Sequence, residues 1–201
     1  MKPTSPEFLD TFNSARWRTA IRTYGNDHST LVGLLVDWWV TLSPQNFALE
    51  SGPSFGRRPK GKGRGNCDAI LGENDHEVGI LEVEGPVEKK WAWCVEKIKG
   101  FFDEFKSLQF AILLVYPYGP KGRGDERRVE PIDGGKILSQ VKPISEQYPD
   151  KGIVVITIDK QFDRRLKGIR SRNDYYKCTP KSIRGILLVG GKVLGEREFV
   201  S

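Results

Sequence analysis

Two hydrophobic periods alternate along this chain. The stretches Val78 to Val83 and Phe110 to Tyr116 are apolar runs of strand length, and the second is unbroken, the pattern of a strand buried on both faces. Between them, Trp91, Val95, Ile98, Phe102 and Phe105 recur at helical spacing from Glu88 to Lys106, with Pro86 near the first turn. A helix joining two such strands predicts a crossover and a parallel pair. Upstream, Ser29 to Leu42 is mostly apolar with a helical pattern, and Asp27 or Ser29 can cap it. Ser5 to Tyr24 reads as a capped helix with Pro6 at its first position and Phe8, Phe12 and Ile21 roughly on one face, which would pack against the core.

Shorter elements complete the pattern. Cys67 to Leu71 is an apolar run followed by the turn-rich Gly72 to His76, which predicts a hairpin leading into the Val78 strand. Lys136 to Gln147 is helical in pattern, and Pro143 should shorten or kink it. Residues 152–158 form a further strand, and Ser182 to Val189, Gly190-Gly191 and Lys192 to Leu194 read as a hairpin with a two-residue turn.

Against this pattern, the acids in Glu82-Val83-Glu84 are out of place. Residues two apart on a strand share a face, so Glu82 and Glu84 stand side by side inside an apolar segment. Like charges that close raise each other's pKa unless a cation compensates them. Across the hairpin, Asp68 falls opposite the Glu82 to Glu84 end and supplies a third carboxylate. An all-oxygen site with room for water suits magnesium or manganese better than zinc. The residues alone leave a second reading open, in which the acids face solvent at a strand end and pair with nearby Lys and Arg.

Asp68, the Glu82-Val83-Glu84 strand and the surrounding element order resemble the PD-(D/E)XK nuclease superfamily. The resemblance covers about residues 29–160. It implies an α/β, restriction-endonuclease-like fold, a three-layer core with a mixed central β-sheet flanked by helices. Residues 1–28 would be an N-terminal helical addition, and 161–201 a basic segment with a C-terminal hairpin. By the family pattern Asp68 is the first metal ligand, Glu82 the second, and Glu50, near the end of the first helical region, an additional acid. Glu84 stands where most members carry lysine. That makes the site similar to a Glu-x-Glu variant, with Glu84 as general base or ligand of a second ion. In other members the lysine has moved to the following helix, where Lys90 or Lys97 would serve. The resemblance implies a magnesium-dependent endonuclease, with manganese as the other ion, that hydrolyses phosphodiester bonds in DNA and pairs as a homodimer. The rival is a noncatalytic nucleic-acid-binding or assembly subunit that keeps the fold.

Composition narrows the partner more than the chemistry. The net charge is +6 and the pI near 9.2, which favours a polyanion. Arg57, Arg58, Lys60, Lys62 and Arg64 lie among glycines directly before the Asp68 strand, a loop that can follow a phosphate chain closely or remain simply solvated. Arg123 lies in a second basic loop, and Arg164 to Arg172, with Tyr175 and Tyr176 after it, forms a third basic segment. Arg16, Arg18 and Arg22 give the Ser5 to Tyr24 helix a second reading, as an addition that faces DNA rather than one packed against the core. The three cysteines have no metal-ligand spacing. His28 and His76 both fall in turns beside acids. Trp93 lies off the stripe of Trp91, Val95 and Ile98, either exposed near the site or covered by the N-terminal segment. With no apolar signal-peptide core and no run of membrane-spanning length, a cytoplasmic protein without membrane contact is expected.

Overall fold

The sheet is built from strands whose successive side chains divide between two cores, as a period of two requires. We describe a computed structural model in which residues 2–13, 28–50, 66–121, 127–129, 132–161 and 179–199 are placed. The strands are β1 (Asn46–Glu50), β2 (Ala69–Glu73), β3 (His76–Glu84), β4 (Phe110–Val115), β5 (Tyr118–Lys121), β6 (Arg127–Val129), β7 (Gly152–Gln161), β8 (Thr179–Val189) and β9 (Lys192–Glu198). The helices are a 3-10 segment, Pro6–Asn13, then α1 (His28–Leu42), α2 (Glu88–Glu104) and α3 (Gly134–Gln147).

Seven strands form one mixed sheet in the order β1-β2-β3-β4-β7-β8-β9, while β5 and β6 pair separately. The centre is parallel, because α2 carries the chain from β3 to β4 and α3 carries it from β4 to β7. Antiparallel hairpins finish both sides. Leu81, Val83, Ile112, Leu114, Val154 and Ile156 pack on one face against Leu35, Trp38 and Trp39 of α1 and Phe8 and Phe12 of the 3-10 segment. Ile80, Ala111, Leu113, Val115, Ile153 and Val155 pack on the other against α2 and α3. The result is a three-layer α/β fold.

Three local features fix the strand that carries the acids. Asn74 and Asp75 both have positive φ, 49° and 64°, which closes β2 onto β3 through a two-residue turn. Trp39 Nε1 donates to the Gly72 carbonyl at 3.0 Å and pins α1 to β2. The Phe110 ring lies over Gly79, where a Cβ would come within 2.4 Å of it, so a side chain at position 79 would displace that ring.

The predicted hairpins, the parallel pair and the α1 and α2 helices are present. Three expectations need correction. α3 continues through Pro143 to Gln147, so the proline does not shorten it; Pro143 and Ser139, whose carbonyl loses its i+4 donor there, are both on the solvent side. Glu50 is not near a helix end but closes β1, an edge strand that pairs with β2. The N-terminal helix begins at Pro6 but is a 3-10 turn to Asn13, and the rest of the expected stretch lies outside the described residues. Among the described residues no helix is long and apolar enough to cross a membrane.

Candidate functional site

Because β3 alternates, Glu82 points to the α2 side between the apolar residues Ile80 and Cys94, and it is completely buried. An ionised carboxylate there has lost its water and needs a compensating cation. Lys97 supplies it. Its Nζ lies 2.5 Å from Glu82 Oε2 and donates also to the Asn66 carbonyl at 3.2 Å, with 11% of the side chain exposed. The reach follows from helix geometry, since long side chains on a helix lean toward its N-terminus, here toward the carboxyl end of β3. Lys90 is exposed two turns earlier on α2.

Asp68 enters just before β2. Its backbone N–H donates to the Leu81 carbonyl at 3.0 Å, extending the hairpin register, and its Oδ2 accepts from the Val83 N–H at 2.7 Å. Oδ1 faces His28 Nε2 at 3.2 Å. His28 is the first residue of α1, so the helix on one face of the sheet delivers a side chain to an acid at the sheet's end. Glu84 is half-buried, and its Oε1 accepts from the Gly85 N–H at 2.8 Å. The sheet register places Glu50 opposite Ala69, next in sequence to Asp68.

The electrostatics follow the burial. Burial pushes the Glu82 carboxyl up to about 7, opposed by the Lys97 ammonium. Burial pulls Lys97 down, but Glu82 outweighs it and holds the ammonium above its ordinary value. The hydrogen bond to Asp68 raises His28 against the opposing effect of burial, and Glu84 and Glu82 add to the rise. Burial pushes the Cys67 thiol up to about 12 and Cys94 higher still, so neither is a nucleophile near neutral pH.

At the site one oxygen lacks a strong donor. Glu82 Oε1 is fully buried and meets no N–H or O–H donor, and only the weak thiol donor of Cys94 lies against the carboxyl group. Buried polar atoms almost always find a partner, so an orphaned carboxylate oxygen beside a second acid suits a cation. The donor set, carboxylate oxygens from Asp68 and Glu82, fits magnesium or manganese, which bind through one or two carboxylates and keep several waters. Among the described residues no three of the His, Cys, Asp and Glu side chains are grouped so as to hold a metal ion.

Of the residues expected to form the site, Asp68, Glu82 and Lys97 come together, and Glu84 lies two residues beyond Glu82 on the same strand face. Arg57, Arg58, Lys60, Lys62, Arg64, Arg123 and the segment 164–177 lie outside the described residues. Sequence reasoning passed over His28. Forty positions separate it from Asp68, and only the docking of α1 on β2 brings the two together. No protein-family model, no curated protein and no solved structure matches this chain.

Proposed function

We propose that this protein is a metal-dependent endonuclease of the PD-(D/E)XK type, acting on DNA in the cytoplasm. The observation that carries the reading is the buried Glu82, one oxygen on the Lys97 ammonium and the other without an N–H or O–H donor, beside Asp68 at the carboxyl end of a parallel strand. Open α/β sheets bind ligands at that end. Asp68 and Glu82 would hold magnesium or manganese, which when bound polarises a phosphoryl oxygen and acidifies water. His28 and the Val83 N–H fix the Asp68 carboxylate. Lys97, rather than Lys90, takes the place of the motif lysine. Its ammonium orients Glu82 and sets a positive charge where negative charge grows on the phosphate. Glu84 would accept a proton from an attacking water.

The test is incubation with supercoiled and single-stranded DNA in magnesium, manganese or EDTA, with Asp68→Asn and Lys97→Ala alongside. The expected result is metal-dependent cleavage, lowered on the order of 100- to 1000-fold or more in each variant. Full activity in Asp68→Asn would refute the site. Salt-sensitive DNA binding with no cleavage under any metal would identify a noncatalytic subunit instead.

A further inference from the structure

α2 carries two tryptophans with opposite fates. Trp91 is 3% exposed and belongs to the core, whereas Trp93 is 44% exposed. At 100° per residue, Lys90, Trp93 and Lys97 fall within a sector of about 60°, beside the buried stripe of Trp91, Cys94 and Ile98. Lys97 is the member of that sector whose ammonium reaches Glu82. Trp93 lies one turn before it, toward the carboxyl end of β3, because α2 begins at Glu88 just beyond Glu84 and returns along the sheet. An indole on this strip therefore lies on the same side of α2 as the Lys97 side chain, one turn nearer the carboxyl end of β3. Lys89 and Lys90 are exposed on the turn before it, and Glu88, next to them in sequence, is occupied by Lys136 at 2.6 Å. Glu96 is exposed but points about 60° away from Trp93 around the helix, on the side opposite Lys90 and Lys97.

We propose that Trp93 is a stacking platform for an unpaired nucleobase, and that the site takes single-stranded nucleic acid, or a single-stranded junction, beside the phosphate it engages. This rests on the nucleic-acid reading above and names its substrate class. A flat π surface flanked by cations matches the two faces of a nucleotide, the base and its phosphate. In an intact duplex each base face is covered by its neighbours and only the edges are presented, so an exposed indole has nothing to stack on.

The experiment is binding by fluorescence anisotropy in EDTA, using a labelled oligothymidylate and a mixed-sequence duplex of equal length, with wild type, Trp93→Ala and Trp93→Phe. Cleavage of both substrates in magnesium runs in parallel. Trp93→Ala should lower single-strand affinity roughly 5- to 100-fold and leave duplex affinity within about 2-fold, while Trp93→Phe keeps most of the preference. Equal affinity of wild type and Trp93→Ala for the single strand, or an equal loss on both substrates, would overturn the proposal. So would wild-type self-association abolished by Trp93→Ala with DNA binding unchanged, which would assign the indole to a second copy of the chain. The two readings fail separately. Trp93-dependent single-strand binding without any cleavage keeps the platform and removes the nuclease, whereas cleavage lost in Asp68→Asn but indifferent to Trp93 does the reverse.

Discussion

Two lysines are withdrawn from solvent on the same side of the sheet, and their surroundings differ in kind. Lys151 closes the amino end of the parallel strands. Its Nζ donates to the Leu108 carbonyl and, at 3.2 Å, to the Lys106 carbonyl, and it stands 5.2 Å over the Phe102 ring. Burial lowers its pKa, and the charge of the neighbouring Asp150 opposes the effect without reversing it. Lys97 is near the carboxyl end, and Glu82 holds its ammonium above the ordinary value. The first lysine satisfies carbonyls that the turn after α2 would otherwise leave unpaired. The second is bound to an acid that keeps a buried oxygen without an N–H or O–H donor. A buried charge whose partners are complete stabilises a fold, while one that leaves its partner incomplete marks a place prepared for something else.

Removing each lysine should separate the two roles. Lys97→Met leaves Glu82 buried without its cation and should cost about 3–5 kcal/mol in EDTA at pH 8, measured by urea unfolding. The double variant Lys97→Met with Glu82→Gln should recover most of that loss. No recovery would mean that Lys97 acts through packing and not through its charge.

The second prediction concerns pH. The Glu82 carboxyl is raised from 4.5 to about 7, so between those values the folded protein holds a proton that the unfolded chain releases. That contribution is complete below pH 4.5 and is lost as pH rises through 7. Relative to Glu82→Gln, the wild type should lose on the order of 3 kcal/mol across this window in EDTA. Parallel pH profiles for the two proteins would show that Lys97 fully neutralises the acid. Millimolar magnesium should reduce the difference, since a ligand of the folded state stabilises it by mass action.

Lys151→Met should have the smallest effect, about 1–3 kcal/mol, from carbonyls left without a donor. Its cost should not vary between pH 4.5 and 7, and cleavage per folded molecule should be unchanged. A loss of cleavage would remove the distinction between the two ends of the sheet.

How much of this could be read beforehand depends on how local the information is. The strand parity of Glu82 and the hairpin that brings Asp68 to it are written in a span of seventeen residues, and both appear in the structure as the alternation and turn residues predict. The choice between Lys90 and Lys97 depends on how α2 rolls against β3. Its stripe of Trp91, Cys94 and Ile98 limits that roll without deciding which amine reaches the acid. His28 was illegible because its partner belongs to another layer of the fold. Pro143 misled about the length of α3, because the carbonyl that loses its donor faces water. Glu50 misled because Asn46 to Glu50 is too short to show a period.

The turn at Asn74 and Asp75 works as a counting device for the whole site. Parity along β3 is set from there, so one residue added to the turn would exchange the faces of the strand and carry Glu82 into the aromatic layer beneath α1, away from Lys97. An insertion of two would restore the faces but displace Glu82 along the strand past Asp68. Change in the length of this chain is therefore least tolerable at an exposed polar turn with no chemistry of its own, on the side of the sheet remote from the residues it aligns.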